Sequence, residues 1–135
     1  VKPITYMNES GRFLKSLLAY SNCPSESVIL VHDDITLPIG GMKVSNSKGH
    51  GGHNGVRSVM HALGTSLVRL RLGVGPNPNT LNSLASYVLS AFNSDELEKL
   101  NDRKDYFITA LLKIVDEGVD SAMNLFNKNL KTNTP

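Results

Sequence analysis

The sequence is poor in cysteine and aromatic residues and has no long apolar run. Cys23 is its only cysteine, tryptophan is absent, and Phe, Tyr and Trp together make up 6% of 135 residues. A lone cysteine excludes an internal disulfide, a zinc site built on four cysteines or on two cysteines and two histidines, and a Cys-x-x-Cys redox pair, and makes a reducing compartment the default. No apolar stretch nears the roughly 18 residues of a membrane helix, and the opening VKPITYMN resembles neither a signal nor a transit peptide. Because it begins with Val in mid-pattern, we expect an N-terminal segment to be missing upstream. The chain is 40% apolar and 19% charged, which suits one ordinary domain, expected at residues 1–130 with a frayed tail at 131–135. Disorder and collagen-like repeats are excluded.

Carboxylates are missing from the middle of the chain. Residues 1–34 carry three basic and four acidic side chains, residues 35–94 five basic and none acidic, and residues 95–135 six basic and eight acidic. The net charge of +2 therefore comes from one block, in which Lys43, Lys48, Arg57, Arg69 and Arg71 are joined by His50, His53 and His61. A phosphate-bearing partner would account for such a footprint. A solvated basic face would do so equally well.

Apolar spacing divides the chain into alternating elements. Phe13, Leu14, Leu17 and Leu18 predict a helix to about Tyr20, with Ser10 as its cap. Val28 to Val31 has no polar alternation and predicts a strand buried on both faces, as in parallel sheets. A turn at Leu37 to Gly41 leads to a weaker strand near Met42 to Val44. The glycine-rich run Lys48 to Gly55 enters a helix with Val56, Val59, Met60 and Leu63 on one face, stopped by Gly64. Val68 to Gly75 alternates like a strand with an apolar and a basic face. A loop at Pro76 to Asn82 precedes two helices, near 94–116 and 119–128. The order α, β, β, α, β, α, α is that of an α/β fold.

Familiar catalytic signatures are absent. The glycine run lacks the Lys-Ser/Thr ending of a phosphate loop, and Asn54 stands where a dinucleotide fingerprint needs glycine. No serine forms a nucleophile elbow, and Cys23 has no marked partner for covalent catalysis. His50 and His53 with Asp33 lack a further placed ligand, so no metal is expected. What remains is a polar cleft. Asp33 ends a strand, where open α/β sheets place their ligands, and the glycines of 49–55 let backbone approach a substrate before a helix N-terminus. Asn8 and Asn54 supply amides that both donate and accept. Turn duty for Asp33 and Asp34, and a helix cap for Asn54, are the alternatives.

Five ordered blocks resemble bacterial-type peptidyl-tRNA hydrolase. They are Lys2-Pro3-Ile4-Thr5-Tyr6-Met7-Asn8-Glu9-Ser10-Gly11; Val31-His32-Asp33-Asp34 with Leu37-Pro38 and Gly40; and Gly49-His50-Gly51-Gly52-His53-Asn54-Gly55-Val56-Arg57-Ser58. Leu63-Gly64 with Arg69-Leu70-Arg71-Leu72-Gly73-Val74-Gly75, and Tyr87-Val88-Leu89-Ser90 with Phe92, complete the set. The resemblance runs from residue 2 to about 127 and covers about the C-terminal two-thirds of a typical family member. It implies a single three-layer α/β/α domain with a mixed sheet, incomplete at the N-terminus. It also implies hydrolysis of the ester between a peptide and the terminal ribose of tRNA, with no cofactor, and a monomer working in the cytoplasm or a mitochondrion.

Carried over by position, the resemblance implies that Asn8 positions substrate near the attacked carbonyl, with Tyr6 lining the same groove. Asp33 would orient the catalytic histidine, and Asn54 would bind the peptide end and place the attacking water. Arg71 would contact tRNA phosphate, on a surface extended by Lys43, Lys48, Arg57 and Arg69. Two positions depart from the pattern. The family's general-base histidine lies in a Thr-Arg-His-Asn-like stretch that these residues do not contain, and Ser45 stands where members often carry a phosphate-gripping lysine. The alternative is a non-catalytic RNA-binding module or splicing factor of the same fold.

Overall fold

The helical spacing after Met7 produces α1, Ser10–Ser21. It closes on Asn22, whose left-handed backbone (φ 52°) suits a short polar side chain, with the Asn22 and Cys23 N–H groups donating to Ala19 and Leu18. Ser10 does not cap this helix. Glu9 occupies that place, and the Ser10 hydroxyl instead donates to the Met7 carbonyl of the preceding 3-10 turn, Met7–Glu9. In this computed structural model the described residues are 1–47, 49–75 and 91–127. A second 3-10 turn, Ser25–Ser27, leads to β1 (Ile29–Asp34), followed by β2 (Met42–Ser47), α2 (Asn54–Leu63), β3 (Leu67–Gly73), α3 (Ser94–Glu117) and α4 (Val119–Phe126). Among the described residues the element order matches the expectation. The loop at Pro76 to Asn82, the block at Tyr87 to Ser90, Lys48 and the C-terminal tail lie outside the described residues.

The strands form a mixed sheet in the order β1-β3-β2, and the fold is α/β, with four α-helices and three strands among the described residues. Order in the sheet corrects two expectations. β1 stands at an edge and is half-buried, with Val31 44% exposed, rather than buried on both faces. β3 is central, and its basic residues do not form a solvent face: Arg69 is only 4% exposed and Arg71 pairs with Asp34.

The chain divides into two compact units. One unit comprises Val1–Leu30 with Ser45–Arg69. Here α1 packs against α2, and Val56, Val59 and Leu67 are buried. The two helices touch at Gly11, where a Cβ would collide with the Ser58 backbone carbonyl, so only glycine permits this approach. α2 itself is stopped by Gly64 in the left-handed conformation (φ 66°).

The other unit holds Val31–Val44 and the described residues from Leu70 onward. Asn93 and Glu96 form a capping box that starts α3. Gly118, at φ 91°, separates α3 from α4. Tyr106 meets Phe126 edge-on at 5.4 Å, and Arg103 lies 4.0 Å over the Tyr106 ring while its Nε donates to the Gly40 carbonyl. The Asn127 amide imitates a neighbouring strand for β2. Its Nδ2 donates to the Val44 carbonyl (2.7 Å) and its Oδ1 accepts from the Val44 N–H (3.0 Å), which satisfies backbone at a sheet edge. The turn after β1 is tied to the end of β3 through Gly73 N–H to Gly41, Gly40 N–H to Gly73 and Gly75 N–H to Leu37. A Cβ at Gly73 or Gly75 would strike the Pro38 or Leu37 carbonyl, which explains both glycines of the Gly73-Val74-Gly75 block.

Candidate functional site

Two asparagines 46 positions apart line one cleft in the first unit. Asn8 is exposed on the 3-10 turn before α1, and Asn54 is the exposed first residue of α2. Helix capping, the alternative role for Asn54, belongs to His53. The His53 Nδ1 accepts from the Gly55 N–H (3.1 Å) and the Val56 N–H (3.2 Å), two donors a helix N-terminus leaves unpaired. The preceding loop is wound through Gly51 (φ 59°) and Gly52 (φ 81°), and the His50 Nδ1 accepts from the Gly52 N–H. Each histidine thus turns one ring nitrogen to backbone. Among the described residues no three His, Cys, Asp or Glu side chains gather as metal ligands.

Ser58, Gly11 and Met7, residues of the motif blocks to which the resemblance assigns no role, hold this cleft together. Ser58 Oγ accepts from the Gly11 N–H (2.9 Å) and donates to the Asn8 carbonyl (2.8 Å), which clasps the Asn8 turn to α2 one turn after Asn54. Met7 lies against Gly55 so closely that a Cβ there would overlap its sulfur. The cleft, about 710 Å3, is lined by Asn8, Arg12, Lys15, Asn54, Arg57, Ser58, His61 and Ala62. Tyr6 does not line it. Tyr6 borders a separate cavity of about 920 Å3 with Ile4, Thr5, Glu9, Arg12, Phe13 and Ser16. Arg12 and Lys15 lie outside the acid-free block, so charge counting along the chain missed them. The signal available was their i, i+3 spacing on the helix that follows Asn8.

Asp33 belongs to the second unit, where it borders an open, largely apolar groove of about 720 Å3 whose walls include Val31, Leu70, Leu72, Phe107 and Ile108. Its backbone carbonyl lies 2.7 Å from the His32 Nδ1. Asp34 is held by Arg71, whose Nε and Nη2 both lie 2.6 Å from Oδ2, and by the Thr36 hydroxyl and N–H on Oδ1. Burial pushes the Asp34 carboxyl up. The two Thr36 hydrogen bonds and the Arg71 guanidinium outweigh that and hold it below the usual carboxylate range.

The basic residues fare differently from one another. Arg71 is largely buried in its pair with Asp34, and Arg69 is buried with Nη2 donating to Ser47 Oγ at 3.0 Å. Lys43 is half-buried on β2, Ser45 is buried, and Arg57 is exposed in the cleft. Among the described residues no helix is long and apolar enough to cross a membrane.

The family model described as "Peptidyl-tRNA hydrolase" matches residues 1–134, further than the five motif blocks reach. Peptidyl-tRNA hydrolase of Thermodesulfovibrio yellowstonii is 37% identical over 132 residues, covering 95% of this chain and 69% of the relative. That of Fervidobacterium nodosum is 39% identical over 127 residues, covering 94% and 67%. The crystal structure of peptidyl-tRNA hydrolase from Acinetobacter baumannii superimposes with a TM-score of 0.80 at 29% identity, covering 93% of this chain and 64% of that one. The chain thus spans about two thirds of the length of these relatives.

Proposed function

The chain belongs to the peptidyl-tRNA hydrolase family, and from that premise we propose that it serves in hydrolysis of the ester between a peptide, or an N-blocked amino acid, and the 3′ ribose of tRNA, recycling peptidyl-tRNA. The observation that carries this reading is the cleft lined by both Asn8 and Asn54, with the Asn54 side chain relieved of capping by His53. An amide that both donates and accepts can hold a water and a peptide carbonyl together, and holding reactants in place supplies much of the acceleration. Asn54 binds the peptide end and places the water, and Asn8 positions the carbonyl under attack. Asp33 orients an imidazole and stabilises its charged form. That imidazole is the family's histidine, whose motif these residues do not contain. It takes a proton from the water, the resulting hydroxide adds to the ester carbonyl, and the ribose oxygen leaves with a proton. The site favours peptidyl over aminoacyl esters because it pairs with peptide backbone and offers no carboxylate to a free ammonium among the cleft-lining residues.

Arg57 and the half-buried Lys43 contribute phosphate contacts, which give affinity without reading sequence and suit an enzyme that accepts many tRNAs. In this reading the protein works as a monomer in the cytoplasm or a mitochondrion, with no cofactor. The test is release of an N-blocked amino acid from its tRNA by the 135-residue chain and by a version with the family's upstream segment added. Activity in the extended protein that falls at least about a hundredfold on Asn54→Ala and on Asp33→Ala supports the reading. No activity in either, or activity indifferent to both substitutions, overturns it.

A further inference from the structure

Resting on that reading of the substrate, we infer that the cleft between α1 and α2 binds the sugar-phosphate backbone of the tRNA 3′ end through Arg12, Lys15 and Arg57, with His61 beyond them. Both helices present the same order of chemistry. Asn8, on the turn before α1, is followed on that helix by Arg12 and Lys15 at i, i+3, and Asn54 on α2 by Arg57 and His61 at i+3 and i+7, spacings that keep each helix's side chains on one face. At about 1.5 Å rise per residue, Asn54 and His61 stand about 10 Å apart along the axis. The amides thus mark one end of the cleft, and cations continue from it for the length of a short piece of nucleic-acid backbone. A strand whose terminal ribose ester lies at the asparagines has its phosphates in that direction.

No carboxylate lines the cleft. Arg12 Nη1 does pair with Glu9 at 3.8 Å, but both side chains are open to solvent, so the pair holds Arg12 weakly. Three permanent cations on one cleft repel each other, and a polyanion relieves that repulsion where a neutral peptide does not. The site is absent from the linear charge pattern because Arg12 and Lys15 come from a segment whose net charge is negative.

The experiment is binding of deacylated tRNA to the full chain between about 50 and 200 mM salt, read by fluorescence anisotropy. Each phosphate contact on a single strand contributes about 0.7 to the slope of log K against log salt. The Arg12→Gln/Lys15→Gln variant is expected to bind more weakly at about 50 mM and to lose about 1.4 from the slope, so that its fourfold salt step costs about sevenfold less affinity than in the parent. Lys99→Gln/Lys113→Gln on α3 removes the same charge and is expected to leave the slope within about 0.3 of the parent. An unchanged slope in the cleft variant, an equal loss in the α3 variant, or no measurable binding by the parent overturns the inference. Deacylated tRNA carries no ester, so this result is independent of whether the protein hydrolyses its substrate. Cleft-dependent binding by a protein that releases no amino acid would leave this inference standing and remove the hydrolase reading.

Discussion

Gly11→Ala is the sharpest test of how the cleft is built. The added Cβ falls more than an ångström inside ordinary contact with the Ser58 carbonyl, an atom of α2 backbone that no rotamer change can move. The helices must part, and the Gly11 N–H to Ser58 Oγ bond and the Ser58 Oγ to Asn8 carbonyl bond stretch with them. Overpacking of this kind costs about 1–3 kcal/mol, which in a domain of this size corresponds to a fall in Tm of roughly 4–12 °C. The Asn8 turn moves relative to Asn54, and a misplacement of about 1 Å in a positioning group lowers a rate by about a hundredfold. Ser58→Ala separates the two effects. It removes both hydrogen bonds without a clash and is expected to cost about 1–2 kcal/mol, with a smaller loss of rate. Circular-dichroism melting of the 135-residue chain reads the first quantity, and single-turnover ester hydrolysis by the extended protein reads the second. Gly11→Ala melting within about 1 °C of the parent, with its rate unchanged, would refute the claim that close helix approach sets the Asn8–Asn54 geometry.

Two further outcomes concern the second unit. The Asp34 carboxyl lies below its usual value of 3.8 in the folded state, so the ionised group contributes stability above about pH 4 that is lost as the pH falls through the folded value. Urea unfolding between about pH 3 and 7 should therefore show a shallower acid loss in Asp34→Asn than in the parent, and parallel curves would exclude this linkage. Asn127→Ala leaves the Val44 N–H and C=O unpaired at the edge of β2 and is expected to cost about 2 kcal/mol, with early hydrogen exchange at Val44. Slow exchange there in the variant would mean that another protein group takes over the Val44 N–H and would refute the role given to Asn127.

Local chemistry was sufficient for the elements. Apolar residues at helical spacing placed α1 and α2, and Gly64, with its positive φ, stopped α2 where the pattern ended. Ser10 misled because a cap is chosen by where the chain enters the helix, and the 3-10 turn at Met7–Glu9 moved that entry back to Glu9. By residue type Asn54 is the expected cap, yet His53 takes the place. Only the fold shows which ring nitrogen meets the free N–H groups.

By itself the sequence determined the element order, the family through its five motif blocks, and the glycines that the His50 to Gly55 loop requires, because each depends on neighbours within a few residues. Tertiary structure alone decided which cations are available. Alternation along β3 treats Arg69 and Arg71 as a basic face, yet Arg69 is buried with its Nη2 on Ser47 and Arg71 is paired with Asp34. Arg12, Lys15 and Arg57 are brought to one cleft by the contact of two helices at Gly11 and Ser58, 47 positions apart in the chain. Burial and long-range packing set the fate of a charge, and neither is a property of the residues beside it in the chain.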